Sequence, residues 1–548
     1  MNIKTLFKQN ETPTIEEYLK RCGVDDPKEY IKGNWVENYI HYDNIKDGVE
    51  MLRKAICDDG VIVLVCDSDC DGYCATTIAY KFLTYNGVDP RNIVVLFHDG
   101  KQHGLSHDIL KELHILLYDE LSIYDEHKIS LLWIPDAGTN DWIECAYFAK
   151  CWNIPILITD HHEFSKDWIG YKNVTIVNNQ AHATDVVNKD LCGAGVTHKL
   201  ISAYSALYGG DIHKKLIDLV ALATISDVCD LRSLENRTIV KWGLSHINNP
   251  FLGVMCAKFI SDLETTPTTL AWHVVPKINA ICRADGISLK EELFDALAKN
   301  HYADDFIERI KKCHEKQRAE TDKIYNDILN TEPIGNKVKI FNAPNTPYTG
   351  LVATKLSEKF GCPCMVVHEN AKTYTGSLRS PCKMRTQLDH SGLMTICAGH
   401  EQACGVGWFK NNTKKLSAYC EKLDLTPEPK DVMISYDNIF IPPEVFEIVN
   451  IGKTLWGHGI PEPTIHIKNI IINGQDIKEL GANKTTIKFL YGDIEFIMFY
   501  ASKDAKDALN VGKDVNMQLE IIGTPTINTF RDKDTKQIVI KEWEICQK

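Results

Sequence analysis

Val61-Ile-Val-Leu-Val-Cys-Asp-Ser-Asp-Cys-Asp-Gly72 decides the fold of this 548-residue chain. An apolar, β-branched run ends at Cys66, three aspartates follow at alternate positions (Asp67, Asp69, Asp71), and a helical pattern runs from Tyr73 to Leu83. A continuous hydrophobic run reads as a parallel strand buried on both faces, and ligands of open α/β sheets gather beyond the carboxyl ends of such strands. Three carboxylates crowded there need cations to neutralise them, which predicts a hard-metal site. The bland alternative is an acidic turn, since Asp and Gly favour turns on their own account. A calcium-binding EF-hand loop shares the spacing but fails twice. Its twelfth position would be Ile78 instead of a bidentate Glu, and a strand precedes it instead of a helix.

Outward from that stretch, apolar runs at 93–97, 131–134, 156–159 and 174–177 alternate with helical patterns, predicting a mostly parallel α/β sheet. The expected order is a helical N-terminal extension over 1–50, with Thr14 capping a helix at Ile15, and a catalytic α/β domain over 51–300. A linker helix over 301–332 follows; its middle, 311–320, is almost entirely polar, the pattern of a helix bridging domains. A second α/β unit spans 333–430, with strands at 338–341 and 363–367 around a helix at 352–360. Past Pro427 and Pro429, 431–548 holds five strand patterns (465–472, 485–490, 494–500, 515–522, 537–545), suited to a small OB-like barrel or a sandwich.

The composition, 44% hydrophobic and 25% charged, is ordinary for a globular protein. The net charge of -13 excludes a surface coated in basic residues. It leaves nucleic acid open, because a carboxylate cluster offset by metals adds negative charge and a local basic groove can still track phosphates. The first residues lack the apolar stretch of a signal peptide and no run is long enough to span a bilayer, so a cytoplasmic protein without membrane contact is expected. Nineteen irregularly spaced cysteines read as reduced thiols. Cys66, Cys70 and Cys74 lack paired Cys-x-x-Cys knuckles and are expected to pack as small apolar groups.

Later segments supply further ligands. Asp136 ends the run at 131–134, Asp160-His161-His162 ends the run at 156–159, and Asp227 closes the apolar segment that starts at Leu219. Alone, Asp136 or Asp227 reads as a loop or helix-end residue; together with Asp67, Asp69 and Asp71 they form a set of carboxylate and imidazole donors for one face of the sheet. Such donors suit Mn²⁺ or Mg²⁺, and their number suits two ions bridged by one Asp. A pair of ions lowers the pKa of a shared water and clamps both oxygens of an in-line phosphoryl displacement.

In this order, Asp-x-Asp-x-Asp-Gly, Asp-x-Gly, Asp-His-His and Ser-Asp-Val resemble the DHH phosphoesterases, in particular their RecJ-like branch of single-strand-specific exonucleases. Cys192-Gly-Ala-Gly-Val196, Leu234-Glu-Asn-Arg237 and Pro276-Lys-Ile-Asn-Ala-Ile-Cys-Arg283 resemble that branch's connecting motifs. Tyr374-Thr-Gly-Ser-Leu-Arg-Ser380 and Ala398-Gly-His-Glu-Gln-Ala-Cys-Gly405 resemble the DHHA1 substrate-binding domain. Trp456-Gly-His-Gly-Ile-Pro-Glu-Pro463 carries the likeness weakly into the barrel.

The resemblance implies two α/β domains, DHH and DHHA1, joined by a long helix, with a C-terminal OB-like β-barrel. It makes Asp67, Asp69, Asp71, Asp136, His161 and Asp227 the metal ligands, Asp136 bridging, with Asp160 orienting a histidine and His162 facing the scissile phosphate. Ser377, Arg379, Ser380, Gly399 and His400 would hold the terminal phosphates, and Asn279 and Arg283 would approach from the first domain. Cys282 and Ala398 stand where the family has Gly. The loop Phe97-His-Asp-Gly-Lys-Gln-His-Gly-Leu105 lacks the relatives' phosphate-binding Arg, leaving His98, Lys101 or His103 as substitutes.

The implied activity is 5′ to 3′ hydrolysis of single-stranded DNA to 5′-mononucleotides in repair or recombination, by a monomer with single-strand-binding protein or a helicase as further partners. The linker helix would set the width of a cleft that excludes duplex, and the barrel would grip the strand. Trp408, Phe409, Trp456 and Trp543 are stacking candidates, with core packing the competing reading. Two rival functions remain. A DHH phosphodiesterase for short oligonucleotides or cyclic dinucleotides needs only the two α/β units, and a non-catalytic single-strand-binding scaffold would not need intact metal ligands.

Overall fold

A computed structural model describes residues 1–117, 129–164, 170–181, 185–261, 263–425, 429–481, 483–530 and 533–547. Pro427 lies outside the described residues. The strand Val61–Cys66 is buried at every position and sits second in a five-stranded sheet. The order is Ile93–Phe97, Val61–Cys66, Ile129–Pro135, Ile156–Asp160, Val174–Asn178. From Val61–Cys66 onward the pairings are parallel. Apolar side chains are needed on both faces of these strands because both are covered. Val63, Val65, Leu132 and Ile158 pack with Ile109, Leu113 and Phe148 from helices on one side. On the other side Gly48 of the helix Ile45–Cys57 brings that helix against Leu157 and Leu200. The helix Cys70–Tyr85, capped by Asp69, is buried nearly all round, which explains why its sequence lacks a polar face.

The chain divides into two compact units, one of residues 1–96, 104–275 and 429–548, the other of 97–103 and 276–428. In the first, the N-terminal segment is not only helical as expected. Its strand Ile3–Thr5 pairs in parallel with Lys430–Val432, and Phe7, Tyr18, Leu19 and Tyr30 enter the core of the C-terminal β domain. Thr14 caps Ile15–Arg21 as read from the sequence, its hydroxyl accepting from Glu17 N at 3.3 Å. The β domain also joins the parallel-sheet region directly. Arg237 donates to Thr454 O at 2.7 Å, and Leu231 N donates to His458 O at 3.0 Å.

All five expected C-terminal strands are present, but the last two are longer, Asn516–Phe530 and Lys533–Gln547, and pair as a hairpin. Two short strands missed in the sequence, Ile434–Tyr436 and Lys478–Leu480, complete a seven-stranded sheet. Trp408 and Trp456 are fully buried core residues and so are unavailable for stacking; Trp543 packs partly buried on the β-domain core, and Phe409 is exposed.

The second unit groups 276–428 with 97–103. Its long helix, Phe306–Leu329, buries a stripe of Phe306, Ile310, Gln317, Thr321 and Ile328. Its sheet runs Met394–His400, Ala403–Phe409, Thr373–Arg379, Cys364–Glu369, Lys339–Asn342, with only the last pairing parallel. All nineteen cysteines are free thiols, and no described helix is long and apolar enough to cross a membrane.

Trp456 is the clasp between the N-terminal helices and the β domain. Its indole N–H donates to Val449 O at 3.2 Å and its ring meets Tyr18 edge-on, centroids 5.7 Å apart. Trp456→Ala is expected to cost about 3–5 kcal/mol, read as a lower urea midpoint with an unchanged slope.

Candidate metal centre

Asp71 lies in the first turn of Cys70–Tyr85, and its two carboxylate oxygens accept the N–H groups of Gly193 and Ala194, each at 2.8 Å. Those amides open the helix Gly193–Tyr208, so the carboxylate sits at a helix N-terminus. Asp136 follows Ile129–Pro135 and Asp160 ends Ile156–Asp160. Asp227 arrives differently, as the C-cap of the helix Ile217–Ser226. Ligating atoms of Asp71, Asp136 and His161 lie within 4.8 Å of one another. His161 Nε2 is 3.4 Å from Asp136 Oδ1, and its Nδ1 is 3.8 Å from Asp227 Oδ2. Asp69 caps the helix by accepting from Gly72 N at 3.1 Å, and Asp67, 2% exposed, accepts from Gly104 N at 3.2 Å.

Two backbone features hold this cluster. Asp136 has φ 70° and Val228, beside Asp227, has φ 58°, both left-handed conformations that side chains other than glycine rarely adopt. A β-branched residue there is a strained one, and such strain concentrates at functional sites. Gly193 is required by close approach: a Cβ at this position would lie 2.6 Å from Asp136 Cα and Cβ, and closer still to Oδ1. The Gly of Cys192-Gly-Ala-Gly therefore lets the helix that grips Asp71 touch Asp136.

The electrostatics ask for cations. Burial, then the Asp227 charge, pushes Asp71 up to about 6, against a partial pull from His161. Burial, then Asp71 and Asp69, raises Asp136 well above the usual carboxylate range, and burial raises Asp227 too. Asp136 Oδ1 is buried and, beyond the His161 ring at 3.4 Å, has no hydrogen-bond partner among the described residues. An orphaned carboxylate oxygen facing another carboxylate and an imidazole fits a hard divalent cation, which would supply the missing partner.

Asp160 behaves otherwise. Burial alone would raise it, but His162 holds it well below the carboxylate range. It accepts from His162 Nδ1 at 2.7 Å, from Thr139 N at 3.0 Å and from the His161 and His162 amides. The Asp160 charge in turn pushes His162 up to about 10, tempered by solvent over a ring that is half exposed. Asn178, unremarked in the sequence, braces the same turn by donating to Thr139 Oγ1 and His162 O.

In the second unit, Ser377 and Arg379 lie two apart on one strand and share a face, with His400 across the sheet in the Arg379–Ala403–His400 row. Burial lowers the Arg379 pKa, against a partial pull from Cys404 and with a smaller push from the Arg283 cation. Arg283 Nε is buried and has no hydrogen-bond partner among the described residues. Thus Asn279 and Arg283 belong to the second unit, not the first as expected, because the segment from Pro276 packs there. Ser380 is committed to a local turn, its hydroxyl bonded to Cys382 O and N. Gly399 has φ 121°. The sequence reading missed Thr349 and Gly350 at the start of Thr349–Phe360: Thr349 Oγ1 is 2.9 Å from Ser377 Oγ, and a Cβ on Gly350 would lie 2.9 Å from an Arg379 nitrogen. Only the Thr-Gly pair opening an apolar helix could have flagged them. His98, Lys101 and His103 lie on 97–103, which packs with the second unit: Lys290 Nζ donates to His98 O at 2.6 Å, and Gly286 N to Asp99 at 2.9 Å.

The ends of a parallel sheet thus bring carboxylates and a histidine into an arrangement that could hold a hard cation. Residues 61–224 match the DHH family, N-terminal domain, and residues 445–542 match the RecJ OB domain. It is 26% identical to the putative SPbeta prophage-derived single-strand DNA-specific exonuclease YorK of Bacillus subtilis, over 96% of this chain and 95% of that one. It is 23% identical to the single-stranded-DNA-specific exonuclease RecJ of the same organism, over 99% of this chain and 70% of that one. The fold is similar to RecJ of Thermus thermophilus in complex with Mn²⁺, with TM-score 0.69, 18% identity, 92% of this chain and 72% of that chain covered.

Gly193→Ala is expected to weaken Mn²⁺ binding at least about tenfold while leaving the far-ultraviolet dichroism intact; unchanged affinity would contradict the close-approach argument. The Asp71 carboxyl keeps its proton in the folded chain where the unfolded chain has lost it, so its contribution to apo stability falls as pH climbs from the ordinary carboxylate range through about 6. Metal needs the ionised form and expels that proton. Mn²⁺ affinity should therefore rise, and proton release per ion fall, between pH ~5 and ~7, as measured by titration calorimetry in two buffers of different ionisation heat.

Proposed function

We propose that this chain is a metal-dependent exonuclease that degrades single-stranded DNA from the 5′ end to 5′-mononucleotides, in repair or recombination. The observation that carries this is the buried Asp136 carboxylate beside Asp71 and His161, whose Oδ1 accepts no hydrogen bond among the described residues. The names of the relatives supply the substrate class. Asp71, Asp136, His161 and Asp227, with Asp69 and Asp67, would hold Mn²⁺ or Mg²⁺. When bound, such ions supply Lewis-acid activation of water and neutralise charge on the phosphoryl oxygens.

The remaining roles fall to the chain's own groups. His162 stays protonated through its hydrogen bond to Asp160 and donates to a phosphate oxygen. Asp160 fixes that ring and, through Thr139 N, the turn carrying Asp136. Ser377, Thr349 and the Arg283 and Arg379 guanidiniums offer hydroxyl and N–H donors to a terminal phosphate. The β domain joined to the catalytic unit favours a long strand over a dinucleotide.

With Mn²⁺, strands labelled at the 5′ end should lose label as mononucleotide at once, and strands labelled at the 3′ end only late; the reverse order would sink the polarity. Asp136→Ala should cut turnover at least about 100-fold while single-strand binding, followed by fluorescence anisotropy, persists.

A further inference from the structure

The helix Ile217–Ser226, which delivers Asp227, ends against the usual chemistry of helix ends. Val228 N donates to Ile225 O at 3.3 Å and Cys229 N to Thr224 O at 3.1 Å, the paired bonds of a Schellman cap, whose next residue after the C-cap turns left-handed. That residue is Val228, with φ 58°. Glycine normally stands there because it has no Cβ to crowd the following carbonyl oxygen, and Asn is the common substitute. This chain follows the rule elsewhere: Gly361 caps Thr349–Phe360 and Asn300 caps Ser288–Lys299 in the left-handed region. Of the eleven non-glycine residues with positive φ among the described residues, six are Asn and Val228 alone is β-branched.

The fold itself gives little reason for a valine at this turn. Val228 is 50% exposed, so burial offsets only part of the strain. The cap uses its backbone alone, and an isopropyl group offers no ligand atom to a cation. Cys229, by contrast, is buried, and its thiol donates to Asp227 Oδ2 at 3.7 Å, bracing the turn from inside. Val228 stands on the open rim of the metal centre. There Asp227 Oδ2 lies 3.8 Å from His161 Nδ1, and the His161 and His162 rings have centroids 4.5 Å apart. The Asp227 side chain is partly exposed and that of His162 half exposed, so this is the side from which a phosphate enters. Val228, bonded to Asp227, is within the span of a nucleoside attached to that phosphate.

We infer that Val228 is a substrate-contacting wall: its isopropyl group packs against the sugar and base of the nucleotide whose phosphate sits at the Asp71, Asp136 and Asp227 cluster. The left-handed turn is kept, at the cost of strain, because it presents that side chain at the rim. The inference rests on the single-strand reading above and adds to it a residue that holds no metal. A group without donor or acceptor meets the carbon faces that all nucleotides share, so it adds affinity without choosing a base.

Three substitutions in the full-length chain separate backbone from side chain. Val228→Gly and Val228→Asn suit the left-handed turn and remove the wall, whereas Val228→Ile keeps both strain and wall. The first two should unfold at higher urea than wild type and keep its Mn²⁺ affinity by titration calorimetry. Their KM for a 5′-phosphorylated oligo(dT) of about 12 nucleotides should rise about tenfold, with a smaller change in kcat. Val228→Ile should follow wild type in all of these. Wild-type KM in the first two variants would overturn the wall, as would a lower urea midpoint, which would make Val228 a support of the fold. A fall in Mn²⁺ affinity that matches the rise in KM would overturn it as well, by moving the effect onto the placement of Asp227. If the wild-type chain hydrolyses no single strand with Mn²⁺, the nuclease reading fails by itself. The wall is then read from fluorescence anisotropy of the same strand with Ca²⁺ in place of Mn²⁺. Weaker binding by Val228→Gly keeps it, equal binding overturns it, and a wild-type chain that binds no strand overturns both.

Discussion

The structure turns on burying several carboxylates in one place. Asp71 receives two amide hydrogen bonds at the start of Gly193–Tyr208, worth about 1.5–3 kcal/mol each. Desolvating one carboxylate costs several kcal/mol and like charges add to it, so the amides do not offset the cost for the group as a whole. The upward shifts of Asp71, Asp136 and Asp227 are the remainder, a demand for positive charge built into the fold.

Much of the surrounding chain serves to keep those two amides in place. The segment before Gly193 is clamped from several sides. Glu37 accepts the Val187 and Asn188 amides at 2.8 and 3.0 Å, and Asn179 donates to Leu191 O at 3.0 Å. Lys199, buried, pairs with Glu235 and donates to Glu37 O, while Asn188 donates to Glu235 and Asn236. Removing one partner of such a buried set leaves an uncompensated charge, at a cost of about 3–5 kcal/mol. Leu234-Glu-Asn-Arg237 is thus a junction: Glu235 and Asn236 face the metal centre's support, and Arg237 ties the β domain.

Legibility followed the range of the interactions. The parallel strands were readable because burial on both faces imposes an apolar run, and Thr14 because a cap acts over three residues. The grouping of the segment from Pro276 with the long helix was not, since contacts such as Cys313 with Ala280 join residues distant in sequence. The apolar residues of the N-terminal segment gave no sign of which core they fill; their partner strand lies more than four hundred residues away. Thr349 and Gly350 escaped for a similar reason, being ordinary helix-start residues until the fold lays them on Ser377 and Arg379.

By itself the sequence determined the class of sheet, the donor types and the order in which they arrive, because strand burial and ligand chemistry are local properties of short segments. Only the tertiary structure decided which donors meet. It placed Asp71, Asp136 and His161 within reach of one ion, turned Asp67 toward Gly104 N, and brought Asp227 in from a helix end. The reason is physical: the distance between two carboxylates depends on how far helix and strand can approach, and here that approach is set by a missing Cβ at Gly193 and a left-handed turn at Asp136.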